Sequence, residues 1–193
     1  MIKEYKKMID EALDATDEVA VDGALKELLW AATYRKPVLV FGNGGSAAIA
    51  EHFSCDHTKG VWHDTNLKSC VHSLSSNLPL ITAIANDYSY EDVFSKQIEY
   101  CSAPAAVVVA ISSSGNSPNI IQGLKTAEAK GYVTIAMVGF DGGVVVRENL
   151  AWKTIHVPSN NYGVVEDCHQ IIMHMMAQKI RTENAVHPGK LKL

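Results

Sequence analysis

Four residues in two distant segments have the types and spacing for acid–base or metal chemistry. His52 and Asp56 stand four apart in "SAAIAEHFSCD", so a helix through that segment sets both on one face. Glu166 and His174 stand eight apart in "EDCHQIIMH", about 80° around a helix, and share one broad face. Imidazole and carboxylate together can hold and move a proton near neutral pH. Two nitrogens and two carboxylates are equally a zinc-type donor set. His174 lies in an apolar run, "IIMHMM", where an imidazole is expensive to charge unless paired. A core histidine bonded to backbone fits that position too. Spacing leaves a two-helix metal site and an acid–base pair both open. His57 falls on a different helix face from His52 and Asp56, and Asp87 reads as a cap for a helix over 90–101.

A second chemistry lies in two small-residue loops. Gly42-Asn43-Gly44-Gly45-Ser46 closes the β-branched run "PVLVFG" (37–42), and "SSSGNS" (Ser112 to Ser117) follows "AAVVVAIS" (105–112). Each loop opens a helical pattern, so free backbone N–H groups and the helix dipole favour an anion there. The hydroxyls of Ser112, Ser113, Ser114 and Ser117 add donors without charge. This describes a phosphate cradle with neither lysine nor metal. One such loop alone is more simply a helix cap, but two at the same edge of a sheet favour a ligand. Gly42, Gly44 and Ala47 also match a dinucleotide fingerprint. That fingerprint wants an acid about 20 residues on, and the next strand runs instead into "SLSSN".

The elements that must position these groups alternate. Residues 2–34 read as helical. Short apolar runs at 37–42, 70–74, 105–112, 132–139 and 152–158 read as strands, and 46–58, 90–101, 117–130 and 164–182 as helices between them. Alternation of this kind predicts an α/β fold, a parallel sheet covered on both faces. No linker or internal repeat divides the 193 residues, so one domain is expected. The last residues, from 184, read as a surface tail. A formal charge of −4 with no basic block disfavours nonspecific binding to nucleic acid or acidic lipid. No apolar run approaches the roughly 20 residues of a membrane span. The charged start "MIKEYKKMIDEALD" reads as fold rather than signal peptide. Cys55, Cys70, Cys101 and Cys168 are scattered, as reduced cysteines of a cytoplasmic protein are.

Four motifs in order, "FGNGGSAAIAEHF" (41–53), "LITAIANDYSYEDVF" (80–94), "ISSSGNSPNII" (111–121) and "GFDGG" (139–143), resemble the sedoheptulose 7-phosphate isomerases, or phosphoheptose isomerases. These belong to the sugar isomerase (SIS) domain family. The resemblance covers most of residues 35–183. It implies a flavodoxin-like three-layer sandwich on a five-stranded parallel sheet, with residues 1–34 as a helical segment for oligomer packing. It further implies a homotetramer with active sites between subunits. The implied reaction is aldose–ketose isomerisation of sedoheptulose 7-phosphate to D-glycero-D-manno-heptose 7-phosphate, towards surface heptose.

By the same resemblance, Ser112, Ser113, Ser114 and Ser117 hold the phosphate with Asn43, Gly44 and Ser46, and Asp87 binds sugar hydroxyls. His174 matches the catalytic histidine, and His52 a metal ligand where zinc is bound. Three positions depart from the family pattern: its glutamate four after the histidine is Asp56, its glutamine on the last helix is Glu166, and an aspartate before that is Gly163. The resemblance then implies a metal set of His52, Asp56, Glu166 and His174, with Asp56, Glu166 and His174 as catalytic groups. An isomerase or binding protein for another sugar phosphate, and a non-catalytic tetrameric scaffold, are the alternatives.

Overall fold

The computed structural model describes residues 1–103 and 106–188. Strands β1 (Pro37–Gly42), β2 (Cys70–Ser73), β3 (Val107–Ser112), β4 (Val133–Val138) and β5 (Lys153–His156) form one sheet. Its order is β2-β1-β3-β4-β5, and every pairing is parallel. The expected strands are present, trimmed by one or two residues at their ends; residue 105 lies outside the described residues. Their apolar runs are continuous because both faces are covered. Val40, Val109, Ile111 and Met137 enter one core with helices α1 (Ile2–Asp14), α2 (Glu18–Tyr34), α3 (Gly45–Cys55) and α8 (Tyr162–Glu183). Phe41, Val108, Ala110 and Val138 enter the other with α4 (Leu78–Asp87), α5 (Ser95–Tyr100), α6 (Pro118–Ala129) and α7 (Gly143–Arg147).

The helices depart from expectation where capping residues intervene. The stretch 2–34 is two helices, because Asp17 accepts a hydrogen bond from Val19 N and starts α2 afresh. Asp87 does not cap a helix over 90–101. It ends α4, which Asn77 caps through Leu80 N. The segment that follows is a single 3₁₀ turn, Tyr90–Asp92, and then short α5. α3 runs out into a wide π turn, Asp56–Gly60, a distortion often found at functional sites. Residues 184–188 are tied down: Ala185 bridges Thr65, and His187 meets the Asp64 carboxylate at 2.8 Å. Residues 189–193 of the expected tail lie outside the described residues.

Two histidines belong to the cores. His57 stacks on Phe53 at 3.9 Å and bonds Met173 O at 3.2 Å. His169 bonds Val138 O at 3.2 Å. Burial pushes each down to about 4, from an ordinary 6.5. The unfolded chain therefore binds more protons than the folded one between those values. Stability is full above pH 6.5 and declines as pH falls towards 4, by about 3 kcal/mol for each histidine. Urea unfolding at pH 7.5 and 4.5 is expected to show this loss; equal stability at the two pH values would contradict it.

Candidate active site

β1 and β3 lie side by side, but their chain connections leave in opposite directions along the sheet. That reversal opens a crevice beyond their carboxyl ends, and the two small-residue loops line it. The cleft holds about 140 Å³ between Asn43, Ser46, Ile111, Ser112, Ser113, Ser114, Ser117, Tyr162 and Glu166. The N-termini of α3 and α6 open towards it. Gly44 caps α3 with no side chain, and Ser117 caps α6 without a side-chain bond. The Ser112 and Ser114 hydroxyls accept from Gly115 N and Asn116 N, which leaves their hydrogens for a ligand. Ser113 Oγ is buried without a hydrogen-bond partner. An anion with several acceptor oxygens suits this donor set.

The "GFDGG" motif supports the serine loop from behind. Gly139 N donates to Ser113 O at 2.9 Å, and Val145 N to Gly115 O at 3.1 Å. Asn116 Oδ1 accepts from Val144 N at 3.0 Å. Gly115 has φ +61°, and a Cβ there would overlap the Gly142 carbonyl. On the other loop, Asn43 and Asn119 exchange two hydrogen bonds of 2.9 Å, and Tyr90 Oη donates to Asn43 Oδ1 at 3.1 Å. Asn43 thus clasps β1's loop to α6 while lining the cleft. Asn119 and Tyr90 were not read as site residues. Each is legible only once the two loops are known to touch.

The second group of side chains lies further along α3 and α8. His52 Nε2 is 3.5 Å from Asp56 Oδ1, and His174 Nε2 is 3.4 Å from Asp56 Oδ2. One donor atom from each of the three residues lies within 4.8 Å of the others. The rings meet edge-on at 4.9 Å between centroids. Gln170, unremarked in the sequence reading, reaches both rings, at 2.8 Å from His52 Nδ1 and 3.1 Å from His174 Nε2. It stands one helical turn before His174, and that i−4 relation was the available signal.

Glu166 is not among the three clustered donors. Two turns before His174, its carboxylate lines the serine cleft and lies directly over Gly45, where a Cβ would overlap it. Gly163, where the family pattern has an acid, admits α1: a Cβ there would stand 2.9 Å from Tyr5 Oη. Tyr5 Oη in turn donates to Asp167 at 2.7 Å, a bond that raises the tyrosine's pKa. Asp87 is exposed, bonded to its neighbour Asn86, and does not line the cleft.

The cleft thus places a carboxylate beside the serine donors. Removing it with Glu166→Gln is expected to tighten inorganic phosphate as an inhibitor roughly tenfold. Two like charges about 5 Å apart repel by on the order of 3 kcal/mol at an effective dielectric near 20, which solvent screening reduces. A weaker inhibition constant in the variant would show that Glu166 is a partner of the anion and not a competitor.

A parallel α/β sandwich with an anion cleft at its reversal point and an acid–base cluster one step along the same helices has a known setting. The SIS domain model matches residues 3–139, and the chain belongs to the SIS domain family. Within it, the chain is 37% identical over 178 residues to a probable phosphoheptose isomerase of Thermoplasma acidophilum, covering 91% of this chain and 96% of that one. It is 35% identical over 172 residues to the phosphoheptose isomerase of Citrifermentans bemidjiense, covering 89% and 88%. The solved phosphoheptose isomerase of Neisseria gonorrhoeae superposes with a TM-score of 0.82 at 31% identity, over 93% and 94% of the two chains.

Proposed function

We propose that this chain is a phosphoheptose isomerase that interconverts sedoheptulose 7-phosphate and D-glycero-D-manno-heptose 7-phosphate. The observation that carries the reading is the pairing of two stations on the same two helices. α3 passes Ser46 at the anion cleft before reaching His52 and Asp56; α8 passes Glu166 before Gln170 and His174. Six residues of helix separate Ser46 from His52, about 9 Å of rise. An extended chain advances roughly 1.1–1.2 Å per bond. Seven bonds part the phosphorus from the second carbon of a heptose 7-phosphate, a reach of about 8 Å on that scale. The five bonds of a pentose 5-phosphate reach only about 6 Å.

In the ketose-to-aldose direction Asp56 takes a proton from the first carbon. A proton passes between the two oxygens beside His174 as the cis-enediol forms, and a proton then returns to the second carbon. No oxidant is needed, because the electron pair moves within the sugar. His52, Asp56 and His174 suit a zinc-class ion: two imidazoles and a carboxylate with ligand atoms converging. Such an ion supplies positive charge for the oxygen that becomes anionic. The phosphate cradle contributes remote binding that fixes the reacting carbons. Glu166, at the anion end, is assigned to hydroxyls near the phosphate rather than to the reacting carbons.

We also infer a cytoplasmic homotetramer with active sites between subunits. In support, α1, α2 and α8 leave a groove of about 850 Å³ whose apolar lining, Leu13, Leu25, Ile172 and Met176 among it, is rimmed by charged residues such as Asp22 and Lys179. Light scattering should return four times the 21.0 kDa protomer mass; a single protomer would remove that assembly. Activity is tested with sedoheptulose 7-phosphate in deuterium oxide, with chelator and with added zinc. The expected result is the aldoheptose phosphate carrying deuterium at its second carbon, with turnover lost to the chelator. No product under any condition, or product without exchange, would overturn the enediol isomerase.

A further inference from the structure

The three-donor cluster has a fourth polar member. The Gln170 side-chain amide stands 2.8 Å from His52 Nδ1 and 3.1 Å from His174 Nε2. An amide has two N–H donors, and here they face two imidazole nitrogens. The amide also carries an oxygen of the same reach, so either end can be turned to the two rings. His174 Nε2 also stands 3.4 Å from Asp56 Oδ2. Donor atoms converging at such separations can enclose a cation. Four ligands around a tetrahedral zinc at about 2.0–2.1 Å lie about 3.3 Å from one another. The His174–Asp56 separation of 3.4 Å and the His174–Gln170 separation of 3.1 Å are both close to that edge. His52 turns Nε2 to Asp56 and Nδ1 to Gln170, and can offer one of the two.

We propose that Gln170 is the fourth donor of a cation site completed by His52, Asp56 and His174. With no ion, its amide nitrogen bonds the two imidazoles. With an ion, rotation of the amide by half a turn presents Oε1 in the same place. The two ends of an amide have almost the same shape, so the exchange needs no movement of α8. The donor at this position is neutral and belongs to the reacting end, whereas Glu166 keeps its carboxylate at the anion cleft. This inference rests on the metal reading of the cluster and goes further by assigning a residue outside the three convergent donors.

The test is zinc affinity of the full chain, by competition with a chromogenic chelator, together with the visible spectrum of the cobalt-substituted protein. Circular dichroism melts check that each variant is folded. Gln170→Ala and Gln170→Met are expected to weaken zinc about 10–100-fold, the range for lost supporting contacts at metal sites. They should also alter the cobalt spectrum. Gln170→Glu, which restores an oxygen donor, is expected to recover the affinity. His174→Ala should abolish it. Wild-type affinity in Gln170→Ala and Gln170→Met, with loss only in His174→Ala, would overturn the role of Gln170 and leave the metal site standing. Unchanged zinc binding in His174→Ala, or none in the wild type, would remove the metal site and this inference with it.

Discussion

Asp56→Asn is expected to lower kcat by about 10²–10⁴-fold, the usual contribution of a positioned acid–base group. The amide keeps the shape and loses both the proton affinity and the negative charge that faces two imidazoles at 3.5 and 3.4 Å. Stability should change by less than about 1 kcal/mol, because the side chain is partly exposed and carries no core packing. KM should move little, since the proposed phosphate site lies elsewhere, among the serines. Deuterium entry from solvent should fall in step with turnover. Asp56→Glu separates reach from charge. It restores the family's residue but extends the carboxylate by about 1.5 Å, into imidazoles already at contact distance. A displacement of that size can cost about 100-fold in rate. Full activity in Asp56→Asn would take Asp56 out of the chemistry. Activity in Asp56→Glu above the wild type would show that this chain's aspartate is the poorer base at the site.

How far such a site can be read beforehand depends on whether its residues interact along the chain or across it. The strands were legible because β3 and β4 are mostly apolar runs, buried along nearly their whole length, that a doubly covered sheet accommodates. The two loops were legible because each joins a strand end to a helix start, a local feature. His52 and Asp56 were legible as neighbours for the same reason. Glu166 lines the serine cleft, because an eight-residue spacing fixes its angle around α8 but also sets it about 12 Å along the axis from His174. That distance separates the serine cleft from the cluster of His52, Asp56 and His174. Gln170 was passed over as one more polar residue; its meaning comes from the His52 ring on another helix. Asn119 and Asn43 are 76 residues apart, and the "GFDGG" loop acts on the serine loop through backbone contacts that leave no side-chain signal. The boundary between α1 and α2 was the avoidable miss, since Thr16-Asp17 before a new apolar periodicity is itself a start signal.

Gly115→Ala is expected to damage both stability and substrate binding, and a matched control shows why. Gly115 and Gly131 both have positive φ, +61° and +71°. A methyl group at Gly131 meets nothing within 4 Å, while one at Gly115 would overlap the Gly142 carbonyl. Gly131→Ala therefore bears only the backbone strain, about 1–2 kcal/mol. Gly115→Ala bears that strain and must also push two backbones apart. Neither can yield easily, because Val145 N and Gly139 N are bonded across the gap to Gly115 O and Ser113 O. The total is placed at about 3–4 kcal/mol, within the range of single changes that break a tight backbone contact. For a chain of this length that lowers Tm by roughly 6–16 °C. The serine hydroxyls move with the loop, so KM for the sugar phosphate should rise at least about tenfold, while kcat at saturation falls less. Remote binding lost from the phosphate end is felt first as affinity and only then as misplacement of the reacting carbons. If Gly115→Ala melts like Gly131→Ala and keeps its KM, the close approach of the two loops is not what shapes the anion cleft.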